Sequence, residues 1–262
     1  MLDLMTGKKG LVLGVANERS IAWGVARVLA KHGASLAFTY QTEGFEKRVR
    51  PLAESIGSKL VFPLDVQNEK SLDNVFDKLA TEWKEIDFLV HAIAYSDKEE
   101  LTGRFINTSK KNFLNSLAVS CYSLVDLSRR AVPLMNSGGG ILTLTYMGSQ
   151  RVTPNYNVMG VAKAALESSV KYLANDLGSQ NIRVNAISPG PMKTLAGAAI
   201  GGARTVYRTT ETNSPLRSNP SLDSVGGTAL YLLSDYGEHT TGEIIFVDGG
   251  YHIMGLPRIE NL

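Results

Sequence analysis

The stretch GLVLGVANERSIAWG, Gly10 to Gly24, joins a short apolar run to a turn and then to a helical pattern. Further apolar runs follow along the chain, mostly separated by longer helical patterns. Short strands that alternate with helices are typical of a parallel sheet covered by helices on both faces. The sequence therefore predicts an α/β, doubly wound fold with a seven-stranded parallel sheet. The predicted strands cover residues 10–16, 35–40, 59–66, 86–94, 140–146, 182–190 and 242–250.

The length and charge of the chain narrow the classes of function. A chain of 262 residues fits one domain, which we predict over residues 1–262. Its 27 basic and 25 acidic residues are nearly balanced and form no basic block, which argues against nucleic acid or an anionic membrane as a partner. We therefore expect a small-molecule ligand, and we predict no metal site.

The number of cysteines and the first residues of the chain indicate the cellular compartment. Cys121 is the single cysteine, so an internal disulfide is excluded and a buried, unreactive thiol is expected. The first residues lack a charged segment followed by an apolar core and a cleavage site, and no later apolar run is as long as a membrane span. These features predict a cytoplasmic protein.

The turn after the first strand is the first candidate for a binding site, because ligands of doubly wound sheets bind beyond the carboxyl ends of the strands. Gly14 permits a tight backbone path there, and Ser20 and Ile21 begin a helix whose N–H groups can receive a diphosphate. Of the usual three-glycine fingerprint only Gly14 and Gly24 remain. A plain strand-to-helix connection is the alternative.

The end of the second strand predicts which dinucleotide binds. An acidic residue there holds the adenosine ribose hydroxyls in many such folds, and an arginine accepts a 2'-phosphate. Here the position holds Gln41, which can bond a ribose, and nearby Glu43 would repel a phosphate. NADH is therefore predicted over NADPH, unless Gln41 simply begins a loop.

The ends of the third and fourth strands add four candidates. Asp65 and Val66 could contact the edge of an adenine ring. Ile93 and Ala94 are small or apolar enough to leave space for the cofactor beside them. Each also has an ordinary interpretation as strand-end packing or a helix cap. Their joint placement at successive carboxyl ends is what favours a dinucleotide site.

The stretch YNVMGVAK, Tyr156 to Lys163, is the candidate catalytic motif. Seven helical residues bring the two side chains back to within roughly 20° of the same face. We predict that Thr153 and Pro154 form the N-cap and first position of this helix. Because the preceding strand delivers Tyr146 to its carboxyl end, two tyrosines and a lysine should converge there. The spacing alone also occurs by chance on amphipathic helices.

Several motifs together resemble the short-chain dehydrogenase/reductase superfamily, and within it the enoyl-acyl carrier protein reductases. The resemblance covers essentially the whole chain and implies a Rossmann-like fold. Ordinary superfamily members carry a serine thirteen residues before a tyrosine that precedes the lysine by four; here those places hold Tyr146 and Met159. The motifs that carry the resemblance are SIAWG, AFTYQ, TYMG, PNYNVMGVAKAALE, RVNAISPGP and GEIIFVDGG.

The resemblance implies hydride transfer from NADH to C3 of a trans-2-enoyl thioester, the last reductive step of fatty acid elongation. Charge then accumulates on the thioester oxygen, and a donor must meet that enolate. Tyr156 is expected to stabilise the enolate and could supply a proton, while Lys163 would hold the nicotinamide ribose. Tyr146 would line the pocket or orient the thioester, unless it belongs to the core.

The segment from Thr194 to Leu216 is rich in Gly, Ala and Thr and follows a strand's carboxyl end. We predict that residues 194–216 form a mobile lid over the crevice, with a surface loop as the alternative. The resemblance implies that Thr194 and Leu195 contact the nicotinamide carboxamide and the diphosphate. It also implies an apolar acyl slot built from Met159, Ala196 and Ile200.

Two positions depart from the common pattern of the family. Ala94 stands where glycine is frequent, and Ala203 stands in the lid where a large aromatic residue is expected. These departures affect the predicted chain-length preference and the order of the lid rather than the reaction.

The resemblance also implies two macromolecular partners. Acyl carrier protein would present the enoyl thioester, and the basic residues Lys193, Arg204 and Arg208 could receive this acidic protein, unless they are ordinary surface charges. The resemblance implies a homotetramer, and the helix predicted over residues 109–135 and the helix of Lys163 carry more apolar surface than one sheet face needs. The competing functions are a reductase of 3-oxoacyl thioesters or other carbonyls on the same fold, and a noncatalytic NAD-binding sensor.

Overall fold

The computed structural model describes residues 3–135, 138–198 and 200–261. The remaining positions of the predicted 1–262 domain lie outside the described residues, among them residue 199 of the predicted lid. The described chain forms one seven-stranded sheet in which neighbouring strands are parallel. Its strands are β1 Lys9–Leu13, β2 Ser35–Tyr40, β3 Val61–Pro63, β4 Phe88–His91, β5 Gly139–Leu144, β6 Ile182–Pro189 and β7 Ile244–Val247.

Helices connect these strands. They are α1 Ile21–Lys31, α2 Glu43–Ser55, α3 Glu69–Trp83, α4 Lys98–Leu101, α5 Lys110–Leu117, α6 Ser123–Ala131, α7 Asn157–Leu177, α8 Leu195–Ala198, α9 Ala203–Asn213 and α10 Leu222–Leu233. No helix of the described residues is long and apolar enough to cross a membrane.

The strand order is β3-β2-β1-β4-β5-β6-β7, so the predicted doubly wound, Rossmann-like sheet is confirmed. The order reverses between β1 and β4, and their carboxyl ends border the crevice where such sheets bind ligands. Several observed strands end earlier than predicted: the run over residues 86–94, for example, pairs only as Phe88–His91. The residues beyond these ends leave the ladder and form the loops of the crevice.

The core lies on both faces of the sheet. Leu11 and Leu13 of β1 pack on one face with helices α3, α6 and α7, while Val12 packs on the other with α1, α2 and α10. Successive side chains of a strand point to opposite faces, and burial on both faces explains why the strands read as unbroken apolar runs rather than alternating ones.

The helix predicted over residues 109–135 is interrupted. Ser109 caps α5 by accepting a hydrogen bond from the Asn112 amide at 3.1 Å, but a wide π-type turn, Ala118–Tyr122, separates α5 from α6. Cys121 lies in this turn and is buried, as predicted. The π-type turn shifts the register between α5 and α6 relative to one continuous helix.

The predicted start of the Lys163 helix is wrong. Thr153 and Pro154 precede the helix, which begins at Asn157 with Tyr156 in the N-cap position. The reason is a left-handed turn: Asn155 and Asn157 have φ values of 59° and 35°, and asparagine adopts this conformation more readily than most residues. Tyr156 therefore flanks the helix instead of lying on its regular face.

Candidate active site

Gly14 directly follows β1 at the switch point of the sheet. Its φ is +93°, and a Cβ atom there would lie 2.0 Å from the carbonyl oxygen of Ala92, just beyond β4. Both the dihedral and the contact exclude a side chain, so backbone forms this part of the crevice. Gly24 serves another purpose, since a Cβ there would meet the Leu222 Cβ at 2.7 Å, where α1 packs against α10.

The turn after Gly14 is held by Ser20, which is expected to begin the helix and occupies the N-cap position of α1. Its Oγ accepts hydrogen bonds from the Ala16 and Asn17 amides at 2.9 and 3.1 Å. The helix then begins at Ile21. The positive end of the α1 dipole thus points at the crevice, an arrangement suited to a diphosphate.

The other predicted cofactor residues follow successive strands at the same edge. Gln41 is exposed directly after β2, and the exposed Glu43 begins α2. Asp65, after β3, accepts a hydrogen bond from the Gln67 amide at 3.0 Å. Val66 and Ile93 pack partly against the core, and Ala94 is exposed.

Lys163 is buried against the end of β5. Its Nζ donates a hydrogen bond to the Leu144 carbonyl at 2.8 Å. Burial lowers the pKa of Lys163 to about 8, although Cys121 and Glu167 act in the opposite direction. A lysine in this setting titrates within the working range of an enzyme, which is typical of functional sites.

Tyr146 and Tyr156 meet edge to face, with ring centroids 5.0 Å apart and an interplanar angle of 67°. Burial raises the pKa of Tyr146 to about 12, with Tyr251 and Asp248 adding to the effect. Burial also raises the pKa of Tyr156, with smaller contributions from Tyr146 and Glu167. Both phenols therefore stay protonated at neutral pH and can donate hydrogen bonds.

A small apolar cluster surrounds these rings and is separate from the two main core clusters. Four of the five residues implied as substrate contacts belong to it: Tyr146, Tyr156, Met159 and Ile200. The sequence prediction missed Leu101, Val158 and Phe113, which also belong to the cluster. Leu101 and Phe113 lie on α4 and α5, which carry no motif of their own, and Val158 lies inside the YNVMGVAK motif, where only its neighbours were singled out. Ala196 is exposed on α8, and among the described residues it is not a member of this cluster.

The predicted lid is helical rather than irregular. Thr194 caps α8, since its Oγ1 accepts a hydrogen bond from the Gly197 amide at 3.0 Å, and Leu195 is 49% exposed. The left-handed turn before α7 reaches this segment, because Asn155 Nδ2 donates to the Gly201 carbonyl at 2.8 Å. Together with the position of Ile200 in the apolar cluster, this contact brings the segment to the tyrosines.

Ser120, in the wide turn, also escaped the sequence prediction. Its Oγ accepts a hydrogen bond from the Tyr95 amide at 2.9 Å, donates to the Tyr95 carbonyl at 3.1 Å and approaches Met159 Sδ at 3.7 Å. It therefore fixes the loop after β4 against the apolar cluster. A serine within a helical pattern gives no sequence signal for such a role.

His91, at the end of β4, is a buried group without a part in this chemistry. Its Nδ1 lies 2.8 Å from Thr143 Oγ1 and its Nε2 lies 2.8 Å from Ser123 Oγ. Burial, aided by the charge of Lys163, lowers the pKa of His91 to about 3. The ring is thus neutral at physiological pH and links β4, β5 and α6.

A family model, named relatives and solved structures all point to the same protein family. The family model described as Enoyl-(Acyl carrier protein) reductase matches residues 14–252. The enoyl-[acyl-carrier-protein] reductase [NADH] FabI of Rickettsia felis is 56% identical over 256 residues, with 98% of each chain covered.

Two solved structures are similar throughout. An enoyl-acyl carrier protein reductase from Anaplasma phagocytophilum in complex with NAD is 56% identical, with a TM-score of 0.96 and 99% of each chain covered. The Bacillus cereus enzyme with NADP+ and an indole naphthyridinone is 48% identical, with a TM-score of 0.95, and the match covers 98% of this chain and 100% of the other. The chain therefore belongs to the enoyl-acyl carrier protein reductase family.

Proposed function

We propose that this protein reduces the C2–C3 double bond of trans-2-enoyl thioesters carried by acyl carrier protein, with NADH as the reductant. The observation that carries the proposal is the displacement of the tyrosine. Met159 stands four residues before Lys163, where carbonyl reductases of the fold place their acid, while the buried Tyr156 phenol stands seven residues before it, against Tyr146. This spacing suits a donor to a thioester oxygen rather than to an alcohol oxygen close to the lysine.

The residues at the strand ends fit a dinucleotide. The chain packs so closely at Gly14 that a Cβ atom there would lie 2.0 Å from the Ala92 carbonyl oxygen, so only backbone borders this part of the crevice. The start of α1 faces the same crevice. Gln41 offers hydrogen bonds without a positive charge, and Glu43 disfavours a 2'-phosphate. NADH is the reductant in the name of the Rickettsia felis relative, whereas the Bacillus cereus structure contains NADP+. Asp65, Val66, Ile93, Ala94, Thr194 and Leu195 would complete the cofactor site.

NADH, when bound, would supply the hydride that adds to C3 of the enoyl group. Tyr156, protonated at neutral pH, donates a hydrogen bond to the thioester oxygen as negative charge develops there. Tyr146 packs against the Tyr156 ring and orients it. The Lys163 ammonium, which donates to the Leu144 carbonyl, would also bond the ribose of the cofactor. A proton must reach C2 to complete the reaction, and Tyr156 is the group that could supply it.

The apolar cluster is the proposed acyl slot. Met159 and Ile200 line it, and the buried side chains around the two tyrosines exclude water, which strengthens the hydrogen bond to the enolate. The segment 194–216, with α8 and α9, acts as the lid, and Ala196 completes the slot when the acyl chain is bound.

Two further partners are proposed. Acyl carrier protein would dock on the exposed basic residues Lys193, directly before the lid, and Arg204 and Arg208, on α9 of the lid. A homotetramer would bury the large apolar side chains that α5 and α7 expose, among them Leu114 and Tyr172. The cytoplasmic location stays a prediction from the sequence.

The test compares substrates with NADH and follows the loss of its absorbance. The wild type should reduce a trans-2-enoyl thioester and leave a 3-oxoacyl thioester unchanged, and Tyr156→Phe should be impaired. Turnover of the oxo substrate would instead indicate a carbonyl reductase. Binding of NADH, seen as thermal stabilisation without turnover of either substrate, would indicate a sensor.

A further inference from the structure

Glu167 is a buried carboxylate on α7, one helical turn beyond Lys163. It is only 8% exposed. Its Oε1 accepts hydrogen bonds from Thr145 Oγ1 at 2.7 Å and from Ser149 Oγ at 2.5 Å, and its Oε2 accepts one from Gln150 Nε2 at 3.3 Å. A buried carboxylate is costly unless hydrogen bonds and charges compensate it. Each of these three donors comes from the loop that follows β5.

That loop carries Tyr146 between two of the donors, Thr145 and Ser149. Short bonds at both flanks leave the backbone around Tyr146 little freedom to move. The position of the Tyr146 ring, and hence its edge-to-face contact with Tyr156 at 5.0 Å, depends on this anchoring.

Two other residues on the same side of α7 also contact the end of β5 and the loop that follows it. A Cβ at Gly160 would lie 2.7 Å from the Gly148 carbonyl oxygen, so helix and loop are in close backbone contact there. Lys163 Nζ bonds the Leu144 carbonyl. Gly160, Lys163 and Glu167 lie three and four residues apart, which places them on one side of the helix. Glu167 is the member of this series that carries a negative charge.

The charge matters because Lys163 is buried. Cys121 approaches the ammonium from the wide turn and Glu167 from α7 itself, and both favour its protonated form. His91 approaches from β4 and is neutral, since its pKa is lowered to about 3. The neighbouring phenols of Tyr146 and Tyr156 are also neutral, because burial raises the pKa of both.

We infer that Glu167 is a positioning residue of the reaction, which fixes the Tyr146 loop against α7 and balances the buried ammonium of Lys163. This inference rests on the proposed function, because the groups that Glu167 positions are the proposed donor and cofactor ligand. Glu167 itself touches neither substrate nor cofactor. It acts through Tyr146 and Lys163.

Two variants separate the two parts of the role. Glu167→Gln keeps an oxygen that can accept from Thr145 and Ser149 but removes the charge. Glu167→Ala removes both. The control is Asp126→Asn on α6, which alters another buried carboxylate that pairs with Arg129 and Arg130 on the same helix. NADH binding is measured by fluorescence from pH 6 to pH 10, and kcat and KM are measured with an enoyl thioester.

For Glu167→Gln, the pH at which NADH binding weakens should fall by about half to one unit, because an opposite charge beside Lys163 is lost. Its kcat at pH 6.5 should stay within about threefold of the wild type. For Glu167→Ala, kcat should fall about 10- to 100-fold, with a smaller change in KM for NADH. Asp126→Asn should lower the melting temperature without moving the binding midpoint.

An unchanged midpoint in Glu167→Gln would overturn the charge role. A kcat in Glu167→Ala that falls only with the folded fraction would overturn the positioning of Tyr146. If Glu167→Ala does not fold, Glu167→Gln still decides the charge role. A wild type that binds NADH but reduces no enoyl thioester would refute the proposed function, while the binding midpoints would still test the link between Glu167 and Lys163.

Discussion

The Tyr146 ring stands edge-on to the Tyr156 ring at 5.0 Å, so the two phenols occupy one pocket but can have different roles. Tyr156 is the more deeply buried of the two. A hydroxyl that stays protonated in an apolar pocket is a strong donor to a developing oxyanion.

Tyr156→Phe should therefore lower kcat for an enoyl thioester by about 100-fold, the usual cost of losing one oxyanion donor. The KM for NADH should change little, because the ring and its packing remain. Tyr146→Phe is the matched control, and it should cost about tenfold at most because it removes a hydroxyl with an orienting role. Equal losses in the two variants would contradict the assignment of the donor.

The lowered pKa of Lys163 predicts how the affinity for NADH changes at alkaline pH. Its pKa is lowered to about 8, so the charged form is present below that pH and is lost as the pH rises through it. NADH affinity should be constant from pH 6 to about 7 and should fall above about 8, with the midpoint at the pKa of the lysine.

Lys163→Met provides the control for this limb. The variant should bind NADH weakly at every pH and should lose the alkaline midpoint. A midpoint that survives the substitution would assign the titration to another group.

Gln41 should determine the preference between the two nicotinamide cofactors. The wild type is expected to favour NADH, and Gln41→Arg should raise the ratio of kcat/KM for NADPH over NADH by about tenfold, because a guanidinium can bond the 2'-phosphate. Initial rates with both cofactors under identical conditions measure the ratio. A wild type that prefers NADPH strongly would refute the argument from Gln41 and Glu43.

Gly14→Ala should destabilise the protein and weaken NADH binding together. Gly57→Ala is the control, because Gly57 also has a positive φ of +82° but a Cβ added there would meet no atom within 4 Å. The Gly14 variant should lose at least about 1 kcal/mol more stability than the control, owing to the contact with Ala92. Urea unfolding and NADH titration measure the two effects. Equal stabilities would show that the backbone relaxes around the added methyl group.

Arg204→Ala with Arg208→Ala should raise KM for the carrier-bound substrate without raising it for a small thioester analogue. The two arginines are exposed and lie four residues apart on α9, so they present two charges on one face. The charge-matched control is Lys59→Ala with Lys70→Ala, which removes two exposed lysines near the edge strand β3. Equal effects on both substrates would argue against this docking surface.

Much of this architecture was predictable, because buried strands and strand-to-helix turns leave strong local patterns. The order of β1 and β4, and with it the crevice beside Gly14, follows from general rules for parallel sheets. The residues named at the strand ends lie where those rules place them.

Other features depend on contacts between distant segments. The left-handed turn at Asn155 delays α7 by several residues, and it is coupled to the Gly201 carbonyl of the lid; a local pattern containing Thr153 and Pro154 cannot reveal that contact. Glu167 reads in sequence as one more charged helix residue, and only the fold shows that three donors from one loop surround it. Burial of polar groups is a tertiary property.

The wide turn at Ala118–Tyr122 constrains how this chain can change in length. A π-type turn takes about one residue more than the α-helical path between the same two points, and each α-helical residue advances the rotation by about 100°. An α-helical turn can therefore absorb a single deletion here and keep Leu124 and Leu127, both fully buried, in the core, whereas a further inserted residue would rotate α6 away from it. A scan across the turn should accordingly give folded protein for single deletions more often than for single insertions.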